Sequence, residues 1–355
     1  MARALRLAAR GIYAAHPNPM VGCVLVRDGA VVGEGWHQAA GEPHAEINAL
    51  NAAGANARGA TAYLTLEPCS HEGKTPPCAP ALIDAGVKEV VIAMEDPFPA
   101  VSGNGRAALE AAGIVVRCGL MQEAAQTLNA GFLSRVKRGR PVVRLKVASS
   151  LDGAIAMKSG ESQWITGPEA RADVQRLRAR SGAILTGIGT VLADDPALNV
   201  RHEELDTRGR QPVRAVLDSR LRMPLSAGML AMPGKTVVYC TDDAGRQPLI
   251  DVGADVVRVK RAAGVPDLQQ VLADLADREV NDVLVEAGPT LSGYLLAQRL
   301  ADELVIYQAP HIMGSETRSM FRTPEWTRLA DRLALDITDL RRVGTDLRIT
   351  ARLKD

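Results

Sequence analysis

The chain has 355 residues, more than one ordinary core accommodates, so two domains are expected. A net charge of +1 supplies no field for nucleic acid or a membrane surface, and no apolar run approaches the roughly 18 residues that span a bilayer. Hydrophobic residues make up 46% and aromatics only 3%, so the cores must be built from Ala, Val, Leu and Ile.

Met1 to Ala15 carries Arg3, Arg6 and Arg10 and no acid. A mitochondrial transit peptide shares that composition, but Leu5, Ala8, Ala9 and Ile12 recur at helical spacing and His16-Pro17-Asn18-Pro19 follows at once. A first domain helix is therefore expected. Val21–Val26 reads as a strand, Asp28-Gly29 as a hairpin turn and Ala30–Gly35 as the return strand. A helix is expected from Pro43 to Ala57, a strand over Ala62–Leu66, and a helix from Cys78 through Ile83. Val87–Met94 is a strand, Gly105–Ala112 a helix, Ile114–Arg117 a short strand and Glu123–Arg138 one longer helix. The alternation says α/β.

The polar break Lys137-Arg138-Gly139-Arg140-Pro141 places a boundary between domains 1–140 and 141–355. Beyond it come strands at Val142–Ala148 and Ala183–Thr186, flanking a helix over Thr166–Ser181. Val213–Leu217, Thr236–Tyr239 and Asp255–Val259 are further strands, and Pro266–Asp277 is a helix. Val283–Glu286 delivers Gly288-Pro289-Thr290 into a helix over Leu291–Arg299. Leu304–Ala309 is a strand, and two alternating stretches, Asp336–Leu340 and Leu347–Ala351, form a closing antiparallel hairpin.

Five cysteines, an odd number in a long chain, argue against a disulfide framework and for a reducing compartment, the cytoplasm. Cys23, Cys118 and Cys240 lie in or beside apolar runs and read as small buried hydrophobes. Cys69 and Cys78 are different. With His44 they supply three ligands for zinc and leave a fourth tetrahedral position open, the mark of a catalytic site. Glu46 is not needed as a ligand and can shuttle a proton. His-x-Glu followed by Pro-Cys and a second Cys is the zinc-deaminase order, with eight residues between the cysteines instead of two. Bound zinc would activate water, and Glu46 would pass its proton to a ring nitrogen and a leaving amine. A structural zinc site would call for a fourth ligand such as His71 and would have no use for Glu46.

In the second half, the Gly288–Gly293 loop lies between a strand and a helix, where backbone N–H groups can face a phosphate. A plain strand-to-helix turn uses Gly and Pro equally well. The loop is not Gly-x-Gly-x-x-Gly, so a doubly wound dinucleotide fold is not supported. Glu286 ends a buried strand, where an unpaired carboxylate is costly, and this favours a role facing a ligand.

Long motifs carry a resemblance. His16-Pro17-Asn18-Pro19-Met20-Val21-Gly22-Cys23-Val24, Gly41-Glu42-Pro43-His44-Ala45-Glu46, and Thr65-Leu66-Glu67-Pro68-Cys69 through Thr75-Pro76-Pro77-Cys78 resemble the deaminase half of the bifunctional riboflavin-biosynthesis deaminase/reductases. Lys146–Gly153, Gly160–Thr166, Thr190–Leu198 and Val285–Leu291 resemble the reductase half. The resemblance implies a cytidine-deaminase-like three-layer domain followed by a dihydrofolate-reductase-like α/β domain. It implies zinc on His44, Cys69 and Cys78 with Glu46 as the catalytic proton shuttle. Asn18, His71 and Lys74 would meet the phosphorylated pyrimidine. NADPH would contact Ala148, Trp164, Thr190, Asp194, Ser219 and the loop Gly288, Pro289, Thr290, Leu291, Ser292, Gly293 and Tyr294. The substrate of the second step would meet Ser162, Arg178, Leu198, Arg201 and Glu286. The family's Asp-Pro-Asn-Pro is Asp96-Pro97-Phe98-Pro99 here, which predicts altered substrate affinity with the metal site intact.

The implied partner is a small phosphoribosylated pyrimidine, with no nucleic acid or membrane partner, and the enzyme is expected to be a homo-oligomer, a dimer or a tetramer. A competing reading is a single-function cytosine/guanine-type deaminase with an unrelated C-terminal domain. Near-zero charge and few aromatics count against a nucleic-acid substrate. A non-enzymatic zinc-stabilised binding module is the third reading, and Glu46 speaks against it.

Overall fold

The computed structural model describes residues 1–70, 76–98, 101–262 and 264–354. Contacts divide the chain into two compact units, Met1–Gly139 and Arg140–Asp355.

In the first unit, strands β1 (Gly22–Arg27), β2 (Ala30–Trp36), β3 (Thr61–Leu64), β4 (Glu89–Ile92) and β5 (Val115–Cys118) form one sheet in the order β2-β1-β3-β4-β5. β1 runs antiparallel to β2 and β3, while β3, β4 and β5 are mutually parallel. The β1–β2 turn is the expected one, with both Asp28 (φ 50°) and Gly29 (φ 77°) in the left-handed region. Helix α1 (Ala2–Ala8) lies on one face and α2 (Ala45–Ala53) on the other. The register shows why. Gly35 pairs with Cys23, so it shares a face with that residue, whereas Gly22 points the other way. A Cβ on Gly22 would meet Ala4 O at 2.1 Å, and one on Gly35 would meet Ala45 O at 2.4 Å. Bare glycines let both helix backbones sit directly on the sheet, and Ala45, Ala49 and Ala53 give α2 its buried stripe. This close packing replaces the bulk of missing aromatic side chains.

The expected helix over Glu123–Arg138 is two helices, Gln122–Leu128 and Ala130–Arg138. They break at Asn129, whose side chain accepts from Met20 N (2.8 Å) and donates to Met20 O (2.9 Å). Cys118 is exposed rather than buried, because its strand is the sheet's edge.

The second unit is built on a nine-stranded sheet. In spatial order its strands are Asp255–Arg258, Thr236–Cys240, Val213–Leu217, Ala183–Gly187, Asp282–Glu286, Val142–Ser150, Glu303–Ala309, Asp346–Leu353 and Leu335–Val343. The first seven are parallel, and the closing hairpin adds two antiparallel strands. Alternate residues feed two cores. Ala183, Leu185, Val283 and Val285 pack with helices Leu268–Asp277 and Pro289–Ala297 on one face. Ile184, Val216, Leu284 and Val305 pack with helix Pro168–Arg180 on the other. A helix over Ile188–Asp194, absent from the sequence reading, follows Gly187 directly.

Candidate active sites

In the first unit His44 is the N-cap of α2, with extended backbone (φ −70°, ψ 164°). Glu46 is the second helical residue and leans back toward the helix mouth. Cys69 lies five residues past β3, and Cys78 is the first residue of helix α3 (Cys78–Asp84). The Cys69 carbonyl accepts the N–H groups of both Cys78 and Ala79 at 3.0 Å. It therefore caps α3 and brings the two sulfurs together across a long loop, which is how an eight-residue spacing serves one metal.

His44 Nδ1 lies 3.2 Å from Cys78 Sγ and 3.5 Å from Cys69 Sγ, and the three atoms sit within 4.8 Å of one another. A tetrahedral zinc centre with Zn–N about 2.0 Å and Zn–S about 2.3 Å holds such ligand atoms about 3.6 Å apart, so the group fits. The Cys78 hydrogen bond, against the opposing effect of burial, brings the Cys69 thiol down to about 4. A thiolate is thus favoured where a cation binds. Glu46 is 3% exposed, and burial pushes its carboxyl up to about 7.

Asn18 joins this site through a residue the sequence reading passed over. Its Nδ2 lies 3.0 Å from His37 Nε2, and the buried His37 ring meets His44 edge-on at 5.4 Å. His37 Nδ1 is 3.3 Å from Pro43 O. A lone His after a return strand carries no spacing signal, so only the fold reveals it. Burial pushes its pKa down, which favours the neutral ring. His71 and Lys74 lie outside the described residues. Phe98 is 42% exposed, its N–H bonded to Asp96 Oδ1 at 2.8 Å.

In the second unit a cavity of about 1340 Å³ opens at the carboxyl ends of the parallel strands, the usual ligand position for such sheets. Fifteen of the expected contacts line it: Ala148, Trp164, Thr190, Asp194, Ser219, Gly288, Pro289, Thr290, Leu291 and Tyr294 for the cofactor, and Ser162, Arg178, Leu198, Arg201 and Glu286 for the substrate. Thr190 and Asp194 share a face of the helix Ile188–Asp194. Trp164 is a wall rather than core: it is 68% exposed, with the Arg171 guanidinium 4.7 Å over its ring. Helix Pro289–Ala297 starts two residues before its expected position, with Gly288 as N-cap and Pro289 in the first turn, where no N–H is needed. Its amino end faces the cavity and suits a pyrophosphate.

Ser292 and Gly293 do not line the cavity. Ser292 is buried and its hydroxyl donates to Ala287 O at 3.4 Å. A Cβ on Gly293 would lie 2.1 Å from Arg322 O, so this glycine serves backbone packing. Gly293→Ala is expected to destabilise the protein by at least about 2 kcal/mol, read as a lower urea midpoint at unchanged slope.

Arg178 and Glu286 form a two-pronged pair, Nε–Oε1 2.6 Å and Nη2–Oε2 3.0 Å, and Arg178 Nη1 donates to Asn199 O at 3.1 Å. Every branch of the guanidinium is engaged, leaving Arg201 the better placed phosphate partner: among the described residues its guanidinium has no hydrogen bond or ion pair. Burial alone would raise the Glu286 carboxyl, but Arg178 and Lys146 hold it down at about 2. Lys146 Nζ, 3.7 Å away, lines the same cavity, and burial lowers its pKa. Asp152 is elsewhere: its carboxylate accepts from Ser150 and from the N–H groups of Met313 and Gly314, pinning that loop.

Two family models match. The RibD C-terminal domain covers residues 141–349, and the cytidine and deoxycytidylate deaminase zinc-binding region covers 1–94. A riboflavin biosynthesis protein RibD from Escherichia coli is 50% identical over 98% of this chain and 96% of its own length. The chain belongs to the RibD family. Solved RibD structures agree. One from Acinetobacter baumannii is 46% identical with a TM-score of 0.93, over 99% of this chain and 97% of that one. A deaminase/reductase from Thermotoga maritima is 33% identical with a TM-score of 0.87, over 100% and 97%. Membership in the RibD family makes this chain a bifunctional enzyme of riboflavin biosynthesis, an aminohydrolase and an oxidoreductase with zinc and NADPH as cofactors. Its two folds are cytidine-deaminase-like and dihydrofolate-reductase-like. A lone base deaminase with an unrelated C-terminal domain is excluded, because the RibD C-terminal match occupies that half.

Proposed function

We propose that residues 1–140 hydrolyse the amino group of 2,5-diamino-6-(5-phosphoribosylamino)pyrimidin-4-one and that residues 141–355 reduce the ribosyl group of the product to ribityl. The observation that carries this reading is the His44–Cys69–Cys78 cluster with Glu46 buried beside it and no fourth protein ligand among the described residues. An open position is what a hydrolytic centre needs and a structural one lacks.

His44, Cys69 and Cys78 would hold zinc, which when bound would lower the pKa of water to near neutrality. Glu46 accepts the proton of the attacking water at its carboxylate and returns it to the ring nitrogen and the departing ammonia. His37 and Asn18 border the pyrimidine. In the second half NADPH, when bound, would supply the hydride for reduction of the ribosyl group. The amino end of helix Pro289–Ala297 receives the pyrophosphate, Trp164 walls the ring pocket, and Glu286, fixed by Arg178 and Lys146, orients the ribose hydroxyls. Arg201 receives the substrate phosphate. Ser162 and Leu198 shape the same end.

A coupled assay on purified protein tests both steps: ammonia release from the diaminopyrimidine, then NADPH oxidation on the product. Absence of the first or of the second refutes the corresponding half. For the metal, Cys69→Ser is expected to cut zinc from one per chain to below about a tenth, measured by elemental analysis, and to abolish ammonia release.

The enzyme is further proposed to be a homo-oligomer, dimer or tetramer, in the cytoplasm. Support comes from the sheet-edge strand Leu335–Val343, where Ile337 and Leu340 are about 60% exposed, and from five cysteines without a disulfide. Sedimentation equilibrium that returned a monomer at micromolar concentration would count against the assembly.

A further inference from the structure

Part of the reductase site is held in place by a residue outside it. Leu198 and Arg201 line the cavity, yet residues 198–201 belong to no helix or strand. Among the described residues they make no backbone–backbone hydrogen bond either. Leu198 is buried in a left-handed conformation (φ 43°), which a leucine keeps only where its surroundings impose it.

Side chains do the work of the missing ladder. Helix Pro168–Arg180 presents Gln175 and Arg178, three apart on one face. Gln175 Oε1 accepts Arg201 N at 2.9 Å, and Arg178 Nη1 donates to Asn199 O at 3.1 Å. Gln211 takes both backbone groups of the residue between: its Oε1 accepts Val200 N at 2.8 Å and its Nε2 donates to Val200 O at 3.2 Å. One side-chain amide thereby closes the two-bond ring that a neighbouring strand would make.

Gln211 is not part of the cavity lining. It lies just before strand Val213–Leu217, and its stem passes Gly234 (φ 101°), where an added Cβ would sit 3.0 Å from Gln211 Cβ. Arg178 is also tied to Glu286, so its loss acts on more than this segment. Gln211 has no bond beyond Val200 among the described residues, so its effect runs through that contact alone.

We propose that Gln211 is a positioning residue of the reductase: by fixing Val200, and with it the backbone of Leu198 and Arg201, it sets the affinity for the phosphorylated end of the substrate. This rests on the reading of Arg201 as the partner of the substrate phosphate.

Gln211→Met keeps the stem beside Gly234 and removes both hydrogen bonds. With full-length protein, NADPH and the deaminated pyrimidine, Arg201→Met is expected to raise the KM for the pyrimidine about 10- to 100-fold, and Gln211→Met about 5- to 30-fold. In Gln211→Met, kcat and the KM for NADPH should stay within about threefold of wild type, the pattern of lost uniform binding. Gln211→Glu offers a second route, since it keeps the acceptor for Val200 N, loses the donor to Val200 O and should raise the same KM. In the double variant the KM should exceed that of Arg201→Met by less than about twofold, because little is left to position. A wild-type KM in Gln211→Met overturns the assignment. So do KM increases that multiply in the double variant, or a fall in kcat with both KM values raised alike. If Arg201→Met itself leaves the KM unchanged, the phosphate reading has failed, and the Gln211 assignment falls with it.

Discussion

Replacing Glu46 with Gln is expected to slow ammonia release by about 10²- to 10⁴-fold while zinc stays at one per chain. The substitution keeps shape and hydrogen-bonding capacity but removes the ability to carry a proton. His44, Cys69 and Cys78 are untouched, so the metal should remain, measured by elemental analysis alongside the rate. Reduction of separately supplied deaminated intermediate should continue at the wild-type rate, because its cavity is lined by residues of the second unit alone. The position of Glu46 makes the prediction sharp. It is buried at the mouth of α2, two residues from His44, and the metal cluster is complete without it. Ammonia release at the wild-type rate in Glu46→Gln would remove Glu46 from the chemistry and leave the cluster looking structural.

That site was legible in the sequence because its parts are local. His44 and Glu46 open one helix, and Cys69 and Cys78 bracket one loop. Residue type and order sufficed. The explanation for the odd spacing was not legible, since it depends on a carbonyl that caps a helix nine residues away. His37 was invisible for a related reason: its partners Asn18 and His44 come from different elements, and nothing in Trp36-His37 marks a ligand. Asn129 looked like one more residue in a helical stretch, and only its two bonds to Met20, 109 positions away, end the helix there. Helix Ile188–Asp194 begins Ile-Gly-Thr-Val, a sequence of poor helix formers, and tertiary context overrides that preference. The parallel strands of the second unit were easier, being short, mostly apolar runs buried on both faces. The cavity they support was foreseen through a family resemblance, with the exceptions of Ser292 and Gly293, which sit on the covered side of their helix.

Glu286→Gln is expected to destabilise the protein by about 3–5 kcal/mol and to reduce NADPH consumption at least about 100-fold. Arg178 lies 108 positions away in sequence and binds both carboxylate oxygens, and Lys146 adds a second cation at 3.7 Å. Neutralising the one anion leaves two buried cations facing each other, and their desolvation is then uncompensated. The pH dependence follows from the same geometry. The Glu286 carboxyl, held at about 2 in the folded protein against an ordinary 4.5, lends stability that is complete above pH 4.5 and is lost as pH falls toward 2. In Glu286→Gln that acid-side loss should vanish from urea denaturation curves taken between pH 3 and 7. Adding Arg178→Met to Glu286→Gln separates structure from chemistry. The pair of substitutions removes both members of the ion pair and should recover part of the lost stability, yet it leaves no carboxylate to orient the ribose, so reduction should stay depressed. A double variant that regained reductase activity along with stability would show that Glu286 acts on the fold alone. Wild-type stability in the single variant would mean that Arg178 turns out of the cavity when its partner is neutral, and that the pair is a loose one.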